Sequence, residues 1–244
     1  MSHKVTAADY DEDYYELLVE NYEKRRAFSR DRAANLASLV RTEKGERLLD
    51  LGCGIGASAV ECANRGAIVT GLDYTTKAIE KALIFCEKYG REKVDFIVGD
   101  CSNVPLADES FDKVLCADLV EHLYPEEYLA TVREAHRVLK ADGEIIIYTP
   151  SPSHFFEAAR RCVVHRVDGV ARYGKLHVDL KSMDYIIDSM ESSGFAVQRS
   201  YYLPSHVPLL CSIERITMRL PVVGDLFRRR ICVTASKEAQ GQGY

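Results

Sequence analysis

Two carboxylates and two imidazoles are the side chains in this sequence that are best suited to proton transfer or metal binding. Asp118, Glu121 and His122 lie within five residues of one another, and His177 follows further along the chain. A histidine ordinarily titrates near neutral pH, so His122 is the natural base for taking a proton from a bound molecule. Two carboxylates and two imidazoles also suit a divalent metal ion. In the alternative without metal, Glu121 caps a turn, His122 lines a pocket, and His177 is a second pocket residue or starts a surface helix.

A glycine-rich loop follows the first predicted strand, in the stretch Asp50-Leu51-Gly52-Cys53-Gly54-Ile55-Gly56. Glycines at alternate positions permit a tight turn and a close approach of backbone amides to a ligand. The helix that follows would present its N-terminus, which favours a carboxylate or a phosphate. Because glycine turns after strands are common, the loop alone predicts only some nucleotide ligand, and a purely structural loop is the alternative.

Two further acids stand at the ends of the next two predicted strands. Asp73 could accept hydrogen bonds from both ribose hydroxyls, and Asp100 could accept one from an adenine amino group. Asp100 could equally cap the turn that follows it. Together with Asp50, the acids stand at three successive strand ends on one sheet edge, which favours a nucleoside site. A dinucleotide-binding dehydrogenase would usually have GxGxxG, whereas here the third glycine comes one residue early.

A parallel sheet must bring these side chains together, and the chain from Arg47 onward predicts one. Short apolar and β-branched runs alternate with helical patterns, as in βαβ units. The predicted strands are Arg47–Leu51, Ile68–Asp73, Val94–Gly99, Phe111–Ala117, Gly143–Thr149, Ala196–Tyr202 and Arg230–Ser236. The predicted helices are Asp11–Arg26, Asp31–Val40, Ser58–Arg65, Thr75–Tyr89, Pro125–Leu139 and Asp179–Ser193. The last two strands lack a clean crossover helix, so we expect an antiparallel hairpin at the edge.

The order of these motifs resembles the class I methyltransferase family, in particular its type 11 and ubiquinone-biosynthesis O-methyltransferase group. The match runs from Arg47 to Tyr148 and includes Gly71-Leu72-Asp73, Ser110-Phe111-Asp112 and Ala141-Asp142-Gly143. The resemblance implies an α/β, Rossmann-like fold: a seven-stranded, mostly parallel sheet with an antiparallel edge strand and helices on both faces. It implies S-adenosylmethionine as cofactor, with the loop glycines at the methionine part, Asp73 at the ribose, and Asp100 with Cys101 at the adenine. The expected cofactor-binding residues are Asp50, Gly52, Cys53, Gly54, Gly56, Asp73, Tyr74, Asp100, Cys101, Ser102 and Asp118.

The histidine-containing segment has a counterpart within the same family. It resembles the Glu-x-x-Glu-His plus distant His pattern of metal-dependent O-methyltransferases. The resemblance implies Mg²⁺ or Mn²⁺, which would orient an acceptor hydroxyl and lower its pKa. The ligands would be Asp118, Glu121, His122 and His177. Asp118 replaces a glutamate of that pattern and has a shorter reach. The predicted catalytic residues are His122, Glu121 and His177, with His122 as a simple base if no metal binds.

We predict a single methyltransferase domain over residues 1–244. Its parts are an N-terminal helical lid (1–45), a cofactor-binding core (46–150), an acceptor-side insertion (151–178) and a C-terminal completion of the sheet (179–237). Lid tyrosines could cover the cofactor or only pack the helix on the sheet: Tyr10, Tyr14, Tyr15 and Tyr22. The insertion has residues suited to an anionic or aromatic acceptor, or to a solvated helix face: His154, Phe155, Phe156, Arg160, Arg161, His165, Arg166 and Arg172.

A basic amphipathic segment, Val207–Arg230, precedes the last strand. It combines apolar residues with Arg215, Arg219 and the triplet Arg228-Arg229-Arg230. Such a segment could touch an anionic membrane or a lipid-linked acceptor, or it could pack under the sheet.

Composition narrows the partners and the compartment. A formal charge of −5 provides no basic field for holding a nucleic acid, so we expect a small-molecule acceptor. Eight cysteines without a CxxC pair favour free thiols in a reducing cytosol. The N-terminal residues lack the apolar core of a signal peptide, and no uncharged run is long enough to span a bilayer. We therefore expect a cytoplasmic protein.

The predicted reaction is methyl transfer from S-adenosylmethionine to a small molecule, with a hydroxyl oxygen as the favoured acceptor. Nitrogen and carbon acceptors stay open, because the cofactor half of such a fold says little about the acceptor. Two other classes are kept as alternatives, an NAD-dependent oxidoreductase and a domain that binds the cofactor without turnover. The sequence makes no prediction of the oligomeric state.

Overall fold

Seven strands form one sheet in the computed structural model, which describes residues 6–24, 29–153, 176–204, 208–220 and 228–238. They are β1 Arg47–Leu51, β2 Ile68–Asp73, β3 Val94–Val98, β4 Phe111–Ala117, β5 Leu139–Pro150, β6 Phe195–Leu203 and β7 Arg230–Lys237. Their order across the sheet is β3-β2-β1-β4-β5-β7-β6. All seven predicted strands are present, and the predicted α/β fold with a mostly parallel sheet is confirmed.

Helices connect the strands. They are α1 Glu12–Glu23, α2 Ser29–Val40, α3 Ala57–Ala63, α4 Thr76–Tyr89, α5 Pro125–Val138, α6 Met183–Glu191 and α7 Pro208–Thr217, with 3-10 turns at Ala7–Asp9 and Val120–His122. Of these helices, α1, α4 and α6 begin where a side chain caps the first turn. At the start of α6, the side chain of Ser182 accepts a hydrogen bond from the N–H of Tyr185 at 3.2 Å. This cap makes α6 begin at Met183 rather than at the predicted Asp179.

Apolar side chains cover both faces of the sheet. On one face, α1 to α4 contribute residues such as Tyr15 and Phe85 to a cluster with the strands. On the other face, α5 and α6 contribute Tyr128 and Met190. Parallel strands need this cover on both sides, and the predicted helices on both faces are confirmed.

The antiparallel strand, which was predicted at the edge of the sheet, lies one position inside the edge. β7 pairs antiparallel with both β5 and β6 and lies between them, so β6 forms the edge. Ile231 and Val233 of β7 are fully buried, whereas Gln198 and Arg199 of β6 are exposed. The continuous apolar run therefore occupies the inner position, and the polar strand faces solvent at the edge. The predicted antiparallel pairing of the last two strands is confirmed.

The strand order reverses between β1 and β4, and this leaves a crevice at the carboxyl ends of the parallel strands. Asp50 lies in β1, Asp73 ends β2 and Asp118 follows β4, so all three border the crevice. Among the described helices, none is both long and apolar enough to cross a membrane. The predicted acceptor residues from His154 to Arg172 lie outside the described residues.

Candidate active site

Two cavities open along this edge of the sheet. One has a volume of about 280 Å³ and extends to Glu121 and His177, and we call it the His177 cavity. The other has a volume of about 240 Å³ and extends to Asp73 and Asp100, and we call it the Asp73 cavity. Both are lined by Tyr14, Leu18, Gly52, Gly54, Asp118 and His122. The glycine loop therefore lies where the two cavities meet.

The glycine loop leaves open space beside one of its residues. The φ angles of Gly52 and Gly54 are 69° and 53°, which favour glycine. A Cβ added at Gly52 would lie 2.8 Å from Cδ1 of Leu119, whereas no heavy atom lies within 4 Å of a Cβ added at Gly54. Gly54 therefore leaves room for a ligand close to the backbone. Gly56 instead packs against Phe96 at the start of α3 and is not a lining residue of either cavity.

Asp50 is a buried carboxyl at the His177 cavity. Its side chain is buried, and this burial, together with the charge of Asp73, raises its pKa to about 7. Its Oδ2 atom has no hydrogen-bond partner among the described residues. A cationic ligand group beside this oxygen would favour the ionised carboxylate. Cys53 lines the same cavity as a neutral thiol, because burial raises its pKa.

Asp73 is held in place by backbone and hydroxyl donors. Oδ2 accepts a hydrogen bond from the N–H of Gly54 at 3.1 Å, and Oδ1 accepts two from Thr75 at 3.0 and 3.1 Å. The hydroxyl of Tyr15 lies 2.6 Å from Oγ1 of Thr75, which links α1 to this carboxylate. Oδ2 retains the capacity for another hydrogen bond, as a ribose hydroxyl would require.

Asp100, Cys101, Ser102 and Tyr74 border the other end of the Asp73 cavity. Oδ1 of Asp100 accepts hydrogen bonds from the N–H and hydroxyl of Ser102 at 2.8 and 2.7 Å. The turn-capping alternative is therefore correct for this oxygen, while the residue still lines the cavity. Cys101 accepts a hydrogen bond from Thr131 at 3.3 Å, and burial raises the pKa of its thiol to about 12.

Asp118 is paired with arginines and does not join the histidines. Its φ of 52° is a left-handed conformation, which aspartate adopts more readily than most residues. Its carboxylate forms ion pairs with Arg32 of α2 and Arg230 of β7. Both arginines line the His177 cavity. Their two positive charges outnumber the single negative charge of the carboxylate between them. Neither was predicted as a site residue, because Arg32 belongs to no recognisable motif and Arg230 was interpreted only as part of the basic segment before the last strand.

Glu121, His122 and His177 form a compact group. Each residue has one atom that could bind a metal, an imidazole nitrogen or a carboxylate oxygen, and these three atoms lie within 4.8 Å of one another. The two imidazole rings are nearly perpendicular, with centroids 4.9 Å apart. Two imidazoles and one carboxylate can hold a metal ion and leave open coordination positions. The structure thus brings three of the four predicted metal ligands together, and Asp118 lies outside the group.

The neighbours of His122 indicate which ring nitrogen carries the proton. Nδ1 lies 2.9 Å from the carbonyl oxygen of Leu176 and 2.9 Å from the hydroxyl of Tyr10. A carbonyl oxygen can only accept, so the contact with Leu176 is a hydrogen bond when Nδ1 carries the proton, and the hydroxyl oxygen of Tyr10 then accepts from the same N–H. In the neutral ring, Nε2 then lacks a proton and can accept one or bind a metal. Neither contact was predicted from the sequence, because Tyr10 and Leu176 are both remote from His122 in the chain.

Glu121 is fully buried beside the histidines. Oε2 accepts a hydrogen bond from the hydroxyl of Thr149 at 2.9 Å, while Oε1 has no hydrogen-bond partner in the described part of the chain. Burial raises the pKa of this carboxyl, and the positive charges of Arg230 and Arg32 oppose the rise. An unmatched buried oxygen is costly unless a proton or a cation meets it.

A buried lysine holds the turn that carries Glu121. Nζ of Lys181 donates hydrogen bonds to the carbonyl oxygens of Val120 and Leu123, both at 2.8 Å. The N–H of Val178 donates to the carbonyl oxygen of Glu121 at 2.9 Å. These bonds attach the segment after residue 175 to the 3-10 turn, and so bring His177 beside it.

The N-terminal tyrosines both pack and line the cavities. Tyr10, Tyr15 and Tyr22 are buried in the core cluster. Tyr10, Tyr14 and Tyr15 line the Asp73 cavity, and Tyr22 lines the His177 cavity. The two interpretations of these residues, packing and cover, are therefore compatible.

Part of the chain that forms this site is similar to a known protein family. Residues 49–147 match a family model described as a methyltransferase domain. A sterol 24-C-methyltransferase of Gibberella zeae is 30% identical over 168 residues, which cover 66% of this chain and 42% of that protein. A ubiquinone biosynthesis O-methyltransferase of Paracidovorax citrulli is 33% identical over 109 residues, which cover 43% of this chain and 44% of that protein. The chain spans less than half the length of the curated relatives it matches.

A solved structure extends the likeness of the fold to most of the chain. Phosphoethanolamine N-methyltransferase 2 of Haemonchus contortus, in complex with S-adenosyl-L-methionine, has a TM-score of 0.71 at 17% identity. The alignment covers 96% of this chain and 60% of the other. At this identity the likeness shows the fold alone.

Proposed function

This chain carries a domain of the S-adenosylmethionine-dependent methyltransferase family, and on that premise we propose that it methylates a small molecule at a hydroxyl oxygen. The observation that carries the proposal is the meeting of two chemically different cavities at Gly54. One has acids suited to a nucleoside, and the other has a carboxylate and two imidazoles suited to removing a proton. The methyl group would pass from the cofactor in one cavity to the acceptor in the other beside the glycine loop, which lines both.

The described residues fit the cofactor. Asp73 would receive the ribose hydroxyls, and the open space at Gly54 would admit the methionine part close to the backbone. The unmatched oxygen of Asp50 would face the ammonium group. Arg32 would offer its guanidinium to the methionine carboxylate, since it lines the same cavity as Asp50.

The reaction requires positioning and a base from the protein. When bound, S-adenosylmethionine supplies an electrophilic methyl group that an acceptor lone pair displaces in line. Nε2 of His122 would take the proton of the acceptor, while the carbonyl oxygen of Leu176 holds Nδ1–H and so the ring orientation. A neutral amine has a lone pair before any proton is removed, so a site built around a base favours a hydroxyl.

The same residues support a metal-assisted form of this reaction. Glu121, His122 and His177 would hold the ion, which would orient the acceptor hydroxyl and lower its pKa. The unmatched Oε1 of Glu121 supports this assignment. Two imidazoles favour a transition metal such as Mn²⁺ over Mg²⁺, which prefers oxygen ligands. Asp118 is excluded from our ligand set because Arg32 and Arg230 already pair with it.

Two measurements test the proposal. Calorimetric titration should detect binding of S-adenosylhomocysteine and none of NAD. A labelled methyl group should then pass from S-adenosylmethionine to alcohols or phenols in a panel that also contains amines, and His122→Ala should abolish transfer while S-adenosylhomocysteine still binds. Binding of NAD alone would instead favour an oxidoreductase. Cofactor binding without turnover on any acceptor class would favour a non-catalytic domain.

A further inference from the structure

Helix α7 and the turn that follows it present an apolar surface to solvent. Ile213, Ile216 and Leu220 are 48%, 69% and 48% exposed, although large aliphatic side chains are ordinarily buried. Ile213 and Ile216 lie three residues apart on one side of α7, and Leu220 lies in the turn that directly follows the helix. Glu214 points the other way: it is 1% exposed and pairs with Arg229 at 3.4 Å. Among the described residues, Glu214 therefore marks the side of α7 that faces the protein.

Two arginines stand among the exposed apolar residues. Arg215 and Arg219 are exposed, and Glu214, which is buried, is the only acidic residue between positions 208 and 220. Long arginine side chains can extend beside apolar groups and keep the guanidinium in a polar layer. The surface defined by Ile213, Arg215, Ile216, Arg219 and Leu220, which we call the α7 patch, is thus apolar and locally cationic.

We propose that the α7 patch docks on the surface of an anionic phospholipid bilayer. An interfacial helix of this kind buries its apolar side chains at the boundary between headgroups and acyl chains, while its cations meet anionic headgroups. The chain as a whole has a formal charge of −5, so the proposed attraction is a property of this local surface and not of the net charge. The docking is therefore weak without anionic lipid and decreases as salt concentration rises.

Self-association through the same surface is disfavoured by charge. A two-fold contact between two copies would bring the patch of one copy onto the identical patch of the other. Arg215 and Arg219 of one copy would then face those of the second copy, with no exposed acid in this segment to separate them. An anionic bilayer meets both the apolar and the cationic part of the surface.

The α7 patch is also connected to the candidate active site. Glu214, on the inner side of α7, pairs with Arg229, and the adjacent Arg230 pairs with Asp118 at the His177 cavity. Docking through α7 would therefore keep this cavity near the bilayer and favour acceptors that partition into lipid. This last step rests on the proposed function, whereas docking itself does not.

Co-sedimentation of the full chain with lipid vesicles tests the proposal. The chain should bind vesicles of phosphatidylcholine mixed with phosphatidylglycerol and not vesicles of phosphatidylcholine alone. Ile216→Ser should lower binding about tenfold, and Arg215→Gln and Arg219→Gln about fivefold each. The matched control is Ile84→Ser on α4, because Ile84 is 60% exposed and should leave binding unchanged.

The outcomes separate docking from the other uses of the surface. Equal melting temperatures and unchanged binding of S-adenosylhomocysteine should show that Ile216→Ser alters the patch alone. No binding of the wild-type chain to anionic vesicles, or an equal loss in Ile84→Ser, overturns the proposal. A dimer in sedimentation that Ile216→Ser dissociates, without vesicle binding, would assign the patch to a second copy instead. Failure of methyl transfer with intact vesicle binding would reject only the proposed function.

Discussion

The hydroxyl of Tyr10 lies 2.9 Å from Nδ1 of His122, although the two residues are 112 positions apart. The ring of Tyr10 also packs edge to face with Tyr14 and Tyr74, with centroids 5.4 and 5.7 Å away. The N-terminal segment thus reaches the histidine that we propose as the base. It also covers the Asp73 cavity, so one element contacts both halves of the site.

Removing that hydroxyl should slow the reaction. We expect Tyr10→Phe to lower kcat about fivefold, because a hydrogen bond of this kind contributes about 1 kcal/mol. KM for S-adenosylmethionine should change less, since the ring is kept, and the pH profile of kcat should move. Tyr185→Phe on α6 is the control and should leave both quantities as in the wild type. An unaltered pH profile together with an unaltered kcat would contradict a positioning role for Tyr10.

A methyl group at Gly54 should weaken cofactor binding. We expect Gly54→Ala to lower the affinity for S-adenosylhomocysteine at least about tenfold, because its Cβ would occupy the space left for the ligand. Gly45 is the matched control: its φ is 86°, and no heavy atom lies within 4 Å of an added Cβ there either. Both alanine variants should lose about 1 kcal/mol of stability from backbone strain. Equal affinities of the two variants in calorimetry would argue against ligand binding at Gly54.

Asp50 should make stability and cofactor affinity depend on pH. Its folded-state pKa of about 7 is above the ordinary value of 3.8, so ionisation opposes folding. This effect is absent below the unfolded value, grows as pH rises between the two values, and is complete above about 7. Without ligand, the wild type should therefore lose more stability over this window than Asp50→Asn.

The ligand should reverse the preference of Asp50. The ammonium group of S-adenosylhomocysteine favours the ionised carboxylate, so wild-type affinity should rise as pH increases through about 7. Asp50→Asn should bind about tenfold less tightly above that pH and show a flatter dependence. Calorimetry between about pH 5 and 8 measures both effects. A parallel pH dependence in the two proteins would exclude Asp50 as the contact of the ammonium group.

Metal binding can be measured apart from catalysis. If Glu121, His122 and His177 hold an ion, a chelator should lower kcat at least about a hundredfold, and Mn²⁺ should restore it better than Mg²⁺. Glu121→Gln and His177→Ala should each lose Mn²⁺ affinity in electron paramagnetic resonance titrations. His136→Ala on α5 provides the histidine control. Activity that is indifferent to chelation would leave His122 as a base without metal.

Arg32 should recognise one particular part of the cofactor. We expect Arg32→Gln to weaken S-adenosylhomocysteine about tenfold or more, because it removes a charge-assisted contact to the carboxylate. Binding of 5′-methylthioadenosine, which lacks the amino-acid part, should hardly change. Arg65→Gln, whose guanidinium donates to Ser38 and Ala34, is the control for loss of an arginine. An equal loss for both ligands would show that Arg32 acts through the fold instead.

The cofactor half of the site could be predicted from sequence because its residues are local to strand ends. Apolar runs located β1 and β2, and the acids Asp50 and Asp73 stand at the ends of those runs. Parallel strands connected by helices bring their carboxyl ends to one edge, so no detail of packing was needed to bring these acids together. The same rule located Asp118 at the edge, yet it could not determine the partner of its carboxylate.

The partners across the site depended on how distant elements pack. Asp118 has the spacing of a metal ligand, but α2 and β7 converge on it and supply Arg32 and Arg230. Tyr10 reaches His122 only because α1 covers the sheet edge. The place of β7 inside the edge likewise follows from burial of its apolar run against two other strands. Sequence therefore determined the strands, the glycine loop and its acids through local patterns, whereas only the tertiary structure decided which charges and hydroxyls meet, because those contacts join segments that share no local pattern.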